Sequence, residues 1–251
     1  MWGVLSAPKF KICGITTLDD AQLAVDVGAW AVGVILWEGS PRCCDPVQAE
    51  LIARTLRRRA LVCGVFHNAP LAEVIQTIDA LGLTMAQLHG DEGPSYCDEV
   101  RRRSGVPVIK AGRVAELADV RDQARFHHVD YQMLDTLRPG IPGGTGETFD
   151  WSLAHARRSK VPLILSGGLH AGNVTAAIEE LRPFAVDVAS GTEASPGVKD
   201  PEKVVAFAQA VLATAVADPE PEEPEAADAA EEGAEPVAVP ADAQPAAESP
   251  A

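Results

Sequence analysis

The sequence is poor in basic residues at its end and has no long apolar segment anywhere. No Lys or Arg follows Lys203, and no basic patch suited to nucleic acid stands out before it. The longest apolar run, residues 29–37, is far too short to span a bilayer. The first residues contain no basic segment followed by an apolar run, which is the pattern of a signal peptide. We therefore expect no nucleic-acid partner, no membrane partner and no secretion signal.

The charge is concentrated in one terminal segment. Of the 36 acidic residues, 11 lie in Asp218–Ala251, so the first 217 residues carry 25 acidic and 21 basic residues. The net charge of that part is −4, against −15 for the whole chain. Residues 218–251 are rich in Ala, Glu and Pro and lack aromatic residues. A segment of this composition cannot bury enough apolar surface to offset the conformational entropy lost on folding. We predict a disordered acidic tail at 218–251, which serves as a solvating extension or binds a partner.

Cysteine usage gives no sign of a disulfide framework or a metal site. The five cysteines are odd in number and show no paired metal-ligand spacing: Cys13, Cys43, Cys44, Cys63 and Cys97. A reduced, cytoplasmic protein without a metal fits this pattern best.

Short apolar strands alternate with helical patterns along most of the chain. The predicted strands are rich in β-branched residues and nearly continuously apolar, which is typical of buried parallel strands: 9–15, 31–37, 60–67, 84–90, 106–112, 128–135, 161–167 and 184–190. Helices are predicted after caps at Thr17, Asp45, Asn68, Ser95, Asp150, Asn173 and Asp200, the last one reaching about Ala217.

Eight such units in this length predict an α/β fold, the (β/α)8 or TIM barrel. The alternative, a doubly wound open sheet, usually has fewer strands and a phosphate loop after the first one. No G-x-G-x-x-G follows the first strand here, so the barrel is favoured. We predict an N-terminal extension at 1–8, a single barrel domain at 9–217 and the tail beyond it.

The first strand carries a cysteine at its carboxyl end. The stretch Lys9–Thr16 reads K-F-K-I-C-G-I-T, and strand alternation puts Lys9, Lys11 and Cys13 on one face. The active site of such a barrel lies at the carboxyl ends of its strands. On this stretch alone, a buried structural thiol remains the simpler interpretation of Cys13.

Other predicted strands also end in polar residues. If strand alternation turns them inward, six side chains from five strands converge at one end of the barrel: Cys13, Gln87, His89, Lys110, Asp135 and Asp187. One inward polar residue is usually a satisfied core group, whereas six together predict a binding or catalytic site.

Glycines follow the last two strands. Gly167-Gly168 and Ser190-Gly191 lie where TIM barrels commonly bind phosphate, although such glycines also serve simply to make tight turns. The long glycine-rich connection between Thr136 and Asp150 predicts a mobile lid or binding loop. Arg42, after the second strand, is a candidate for holding a carboxylate.

Taken together, these stretches resemble the phosphoribosylanthranilate isomerases of tryptophan biosynthesis. The similarity rests on several motifs in the family's order and spacing: KICGIT, SPR at 40–42, QLHGDE at 87–92, GGTGETFDW at 143–151, LSGGL at 165–169 and VDVASG with PGVKD at 186–200. The resemblance covers nearly all of residues 9–210 and does not extend to the tail.

The resemblance implies an Amadori rearrangement of a phosphoribosyl substrate, without a cofactor. In it, Cys13 matches the general base, Asp135 the general acid and Arg42 the arginine that binds the anthranilate carboxylate. The other matched positions belong to the substrate pocket (Gln87, His89, Asp187) and the phosphate site (Gly167, Gly168, Ser190, Gly191). A base needs a thiolate, so we expect a lowered pKa for Cys13, caused by Lys11 or Lys110.

Some residues depart from the family's pattern, namely His67, Cys43-Cys44 and Ala189. Two other functions remain open. One is a related phosphosugar isomerase, such as the aldose–ketose isomerase of histidine synthesis or a broad-specificity relative, although that type uses two carboxylates as acid and base where this chain has Cys13. The other is a barrel that serves as a scaffold, with the tail recruiting partners. A monomer or a homodimer is expected.

Overall fold

Eight parallel strands close into a barrel in the computed structural model, which describes residues 5–6, 8–136 and 150–217. The strands are β1 (Lys9–Cys13), β2 (Ala31–Ile35), β3 (Leu61–Phe66), β4 (Met85–Leu88), β5 (Val108–Val114), β6 (Tyr131–Thr136), β7 (Leu163–Leu165) and β8 (Ala185–Val188). Each strand pairs with the next in parallel, and β1 pairs with β8 to close the barrel. The predicted TIM barrel is confirmed.

Helices follow most strands and cover the outside of the barrel. They are α1 (Leu18–Asp26), α2 (Pro46–Leu56), α3 (Leu71–Leu81), α4 (Pro94–Ser104), α5 (Leu117–Asp122), α6 (Val174–Leu181) and α7 (Pro201–Leu212). Asp45 caps α2 by accepting hydrogen bonds from the backbone N–H groups of Val47 and Gln48. Gly82 ends α3 in the left-handed conformation, which a residue without a Cβ adopts at little cost.

Five helix predictions needed correction. The N-cap of α3 is Pro70 rather than Asn68. Helix α5 was not predicted, and residues Trp151–Ala156 form a 3-10 helix instead of the expected α-helix. Helix α4 begins at Pro94, with Gly93 at its N-cap, rather than at Ser95. Helix α7 ends at Leu212 because the chain then turns into a two-residue strand, Val216–Ala217, which pairs antiparallel with Leu5–Ser6.

The apolar core has two parts. The larger part lies between the strands and the surrounding helices, where Phe10 and Phe207 meet edge to face. The smaller part fills the barrel interior with a buried layer made of Cys63, Met85, Ile109, Ala111, Met133, Ile164 and Ala185. This layer shows which face of the strands β3 to β8 points inward.

Two predicted segments lie outside the described residues: the glycine-rich loop at 137–149 and the tail at 218–251. In the part of the chain that the structure describes, no helix combines the length and the apolar character needed to cross a membrane.

Candidate active site

A cavity opens at the carboxyl ends of the barrel strands. Of the ten residues predicted for the site, nine line it: Cys13, Arg42, Gln87, His89, Asp135, Gly167, Gly168, Asp187 and Ser190. Gly191 does not line it, because its α-carbon packs against the backbone of Leu169. The structure therefore brings the predicted residues together, including those from distant parts of the sequence.

Cys13 lies at the end of β1, opposite Gly33 in the neighbouring strand. Its side chain occupies the space that Gly33 leaves free, since a Cβ added to Gly33 would lie 2.7 Å from Cys13 Sγ. Burial raises the pKa of the Cys13 thiol, and the nearby ammonium of Lys11 offsets this only in part. The expected lowering of the pKa of Cys13 is therefore wrong.

Lys11 is fully buried in the floor of the cavity. Its Nζ atom donates hydrogen bonds to Asp187 Oδ1 (2.7 Å) and Gln87 Oε1 (3.0 Å). Ser166 donates to the other oxygen of Asp187, at 3.0 Å. Burial by itself would lower the pKa of Lys11, but the charge and hydrogen bond of Asp187, together with the neighbouring Cys13 and Cys63, outweigh it, so the pKa is raised and the charged form of Lys11 is favoured.

His89 joins Gln87 to Asp135. Gln87 Nε2 lies 2.8 Å from His89 Nδ1, and His89 Nε2 lies 3.1 Å from Asp135 Oδ2. The backbone N–H of Thr136 donates to Asp135 Oδ1 at 2.8 Å. Asp135 is thus held in place through both of its carboxylate oxygens.

Arg42 forms a buried, two-pronged ion pair with Glu193. Its Nε donates to Glu193 Oε1 (2.8 Å), and its Nη2 donates to Glu193 Oε2 (2.8 Å). Burial alone would raise the pKa of Glu193, but hydrogen bonds from Arg42 and the charge of Lys199 hold it below its usual value. Glu193 was not predicted, although a buried arginine usually requires an acidic partner.

Lys110 does not point into the barrel. Its Nζ atom donates to the Gly90 carbonyl oxygen (2.6 Å) and to Glu92 Oε2 (3.0 Å), and it lies outside the cavity. The inward face of β5 is formed by Ile109, Ala111 and Arg113. The prediction that Lys110 points inward is therefore wrong, because Lys110 lies on the opposite face of β5 from the inward residues.

Arg113 takes part in an aromatic cluster at the cavity rim that was not predicted. Its Nη2 lies 3.3 Å from His67 Nε2, and the His67 ring stacks on Trp37 with ring centres 4.4 Å apart. All three side chains line the cavity. His67 thus has a stacking partner in this chain.

The two glycine-rich turns lie side by side at one end of the cavity. Gly167 and Gly168 have φ angles of 89° and 65°. A Cβ on Gly167 would lie 2.5 Å from the Thr136 backbone nitrogen, so only glycine fits there. Among the described residues, no acceptor is bonded to the backbone N–H groups of Gly167, Gly168, Ser190 and Gly191. Such free N–H groups can bind an anion.

Within residues 8–136 and 150–217, no group of three or more His, Cys, Asp and Glu side chains is placed to share a metal ion. The side chains that line the cavity supply a thiol, two carboxylates, two imidazoles and two guanidinium groups.

Comparison with known proteins shows one family. The family model described as N-(5'phosphoribosyl)anthranilate (PRA) isomerase matches residues 10–210. The chain is 46% identical over 199 residues to N-(5'-phosphoribosyl)anthranilate isomerase of Pelobacter propionicus, an alignment that covers 79% of this chain and 93% of that protein.

Solved structures show the same similarity. The crystal structure of phosphoribosyl anthranilate isomerase from Thermotoga maritima matches with a TM-score of 0.74 and 38% identity, covering 81% of this chain and 98% of that one. An isomerase of this kind in complex with reduced 1-(o-carboxyphenylamino)-1-deoxyribulose 5-phosphate matches with a TM-score of 0.71 and 36% identity, over 81% and 98% of the two chains. The chain therefore belongs to the N-(5'-phosphoribosyl)anthranilate isomerase family, aldose–ketose isomerases of tryptophan biosynthesis.

Proposed function

We propose that this chain converts N-(5'-phosphoribosyl)anthranilate into 1-(2-carboxyphenylamino)-1-deoxyribulose 5-phosphate, with Asp135 as general acid and Cys13 as general base. The observation that carries the assignment is that these two groups line one cavity from non-adjacent strands, β6 and β1. A carboxyl group and a thiol on separate walls can act on different atoms of one bound sugar.

The acid step opens the sugar ring. Asp135 gives its proton to the ring oxygen, the bond from C1 to that oxygen breaks, and the electron pair stays on the oxygen. The lone pair of the anthranilate nitrogen then forms a C1=N double bond. The hydrogen bonds from His89 and from the Thr136 N–H stabilise the carboxylate that remains on Asp135.

The base step moves the double bond. The thiolate of Cys13 removes the proton from C2, the C–H electron pair forms a C1=C2 bond, and the C1=N electron pair returns to nitrogen. A proton then reaches C1 and the hydroxyl group on C2 loses one, which gives the ketone. Because burial raises the pKa of Cys13, we expect the chemical step to speed up as the pH rises above neutral.

The remaining pocket residues fit the two anionic ends of this substrate. The N–H groups of Gly167, Gly168 and Ser190 at the cavity wall, which have no acceptor among the described residues, suit the phosphate, with the N–H group of the adjacent Gly191 as a further donor. Arg42 suits the anthranilate carboxylate, since Glu193 fixes its guanidinium at the cavity wall. The sugar side of the pocket is assigned to Gln87, His89 and Asp187. There His89 holds the proposed acid, Asp135, in position, while Gln87 and Asp187 hold Lys11.

The test is conversion of N-(5'-phosphoribosyl)anthranilate by the purified chain with metal ions chelated, beside Cys13→Ser and Asp135→Asn. We expect turnover by the parent and a loss of roughly 100-fold or more in both variants, with unchanged folding by circular dichroism. A parent that ignores this substrate but converts the aminoaldose of histidine synthesis contradicts the assignment. A folded parent inactive on both substrates points instead to a scaffold.

We also propose that residues 9–217 are the catalytic domain, that the tail takes no part in the reaction, and that the enzyme works in the cytoplasm as a monomer or homodimer. The same assay on a chain ending at Ala217 tests the role of the tail, with unchanged turnover expected. The cut belongs after Ala217 because the strand Val216–Ala217 pairs with Leu5–Ser6.

A further inference from the structure

A continuous chain of hydrogen bonds crosses the floor of the cavity and ends on the proposed acid. It runs from Asp187 to Lys11 (2.7 Å), to Gln87 (3.0 Å), to His89 (2.8 Å) and to Asp135 (3.1 Å). Four of the five side chains are buried, and His89 keeps 24% of its side chain exposed. The direction of each bond follows from the chemistry of the groups.

Lys11 sets the direction at one end. An ammonium group has three donors and no acceptor, so it requires an oxygen from each partner. The oxygen of Gln87 must therefore face Lys11, because the opposite amide orientation would place an NH2 group against the ammonium. The buried ion pair with Asp187 favours the charged form of Lys11, and the ammonium group maintains this orientation of Gln87.

The orientation of Gln87 then decides the state of His89. The NH2 group of Gln87 faces His89 Nδ1 and can only donate, so Nδ1 must be an unprotonated acceptor. The ring proton consequently lies on Nε2 and is donated to Asp135 Oδ2. His89 is thereby neutral and held in one tautomer by its neighbours.

We infer that Lys11 and Gln87 are positioning residues that fix His89 as its neutral Nε2–H tautomer and so keep a donor on Asp135. This inference rests on the proposed role of Asp135 as the acid. The donor stabilises the carboxylate left after proton transfer to the ring oxygen, which makes the proton easier to release. With the other tautomer, a lone pair on Nε2 faces that carboxylate and opposes the step.

The tautomer can be observed without any activity measurement. In the ¹⁵N-labelled full-length chain, long-range ¹H–¹⁵N NMR separates protonated from unprotonated ring nitrogens, and His89→Gln identifies the signals of His89. We expect a protonated Nε2 and an unprotonated Nδ1 at neutral pH. A proton on Nδ1 in the parent protein, in either the neutral or the doubly protonated ring, overturns the inference.

Gln87→Glu tests whether Gln87 imposes this state. The carboxylate keeps the shape of the amide and still accepts from Lys11, but it has no donor for Nδ1. We expect a proton to appear on Nδ1 and kcat to fall roughly 10- to 100-fold, with a smaller change in KM. An unchanged nitrogen spectrum in a folded Gln87→Glu variant contradicts the inference.

A double variant shows whether Gln87 acts through His89. In the His89→Gln background, Gln87→Glu is expected to lower kcat by less than about twofold, because residues that act as a unit are not additive. Full additivity overturns the inference. If Gln87→Glu fails to fold, the spectrum of the parent still decides the tautomer. Failure of the proposed function would be distinguished from failure of this inference, because the parent protein itself would then not convert the substrate.

Discussion

Gly33 provides the space in which Cys13 lies. Its backbone makes ordinary strand pairings with Cys13 on one side and Cys63 on the other, so space, not conformation, is what requires glycine here. A Cβ at this position would lie 2.7 Å from Cys13 Sγ and 3.1 Å from Lys11 Nζ. The neighbouring residue is thus as important for the placement of the thiol as the strand that carries it.

Gly33→Ala should therefore displace the thiol. We expect a loss of about 1–3 kcal/mol in the free energy of unfolding from overpacking, and a fall in turnover of roughly tenfold or more. Urea unfolding and steady-state kinetics measure the two effects. Gly93→Ala is the matched control, since a Cβ there meets nothing within 4 Å and φ is −78°. Equal turnover in both variants would mean that the thiol is not placed by Gly33.

Single residues also show which parts of the site could be predicted from the sequence. Strand alternation placed Cys13, Gln87 and Asp135 correctly on the cavity wall. It failed at Lys110 because each face of β5 carries apolar residues and one cation. Alternation alone therefore could not decide whether Lys110 or Arg113 points into the barrel. The second acidic residue of QLHGDE, Glu92, was the missing signal, since a buried lysine requires such a partner.

At the scale of the elements, strands were easier to predict than helix ends. Apolar runs identified all eight barrel strands, because buried parallel strands have little other pattern. Helix α5 was missed because its N-cap is Glu116, which forms a capping box with Asp119 in place of the usual Ser, Thr, Asp or Asn. The end of α7 carries no stop signal, and the strand pairing of Val216–Ala217 with Leu5–Ser6 could not be seen in the sequence.

One connecting element holds a candidate substrate contact in place. Glu193 follows the short 3-10 helix Ser190–Thr192 and begins a hairpin, in which Glu193–Ser195 pairs with Val198–Lys199. The hairpin brings Lys199 within 3.4 Å of Glu193, while Glu193 binds Arg42. An element that forms no part of the barrel therefore fixes the guanidinium at the cavity wall.

Glu193→Gln tests this arrangement. An amide has one acceptor oxygen in place of two and cannot hold the guanidinium at both positions, so we expect KM to rise roughly tenfold while kcat changes less. The control is Glu99→Gln, which alters an equally two-pronged but exposed pair with Arg102. A KM unchanged by Glu193→Gln, or a similar rise in both variants, would contradict the role given to Glu193.

At the scale of the whole molecule, buried thiols make the fold sensitive to alkali. Burial raises the pKa of Cys44, Cys63 and Cys97 to about 12 each. Their folded pKa values exceed the ordinary value of 9.0, so unfolded thiols lose their protons first as the pH rises. Stability is therefore complete below about pH 9 and decreases as the pH rises from there toward about 12.

We expect the free energy of unfolding to fall by on the order of 1 kcal/mol per buried thiol between about pH 8 and pH 10. Urea unfolding under reducing conditions measures this slope. Cys63→Ala should make the slope shallower, whereas Cys43→Ala, at an exposed position, should leave it nearly unchanged. A slope unaffected by Cys63→Ala would show that this thiol does not ionise on unfolding in that range.

The apolar layer inside the barrel also determines how molecules enter and leave. Met85, Ile109, Met133 and Ile164 are fully buried beneath the cavity, so among the described residues this layer closes the barrel below the site. Substrate and product then share one entrance, at the carboxyl ends of the strands. A product molecule that has not yet departed occupies the space needed by the next substrate, so we expect accumulated product to inhibit the forward reaction competitively.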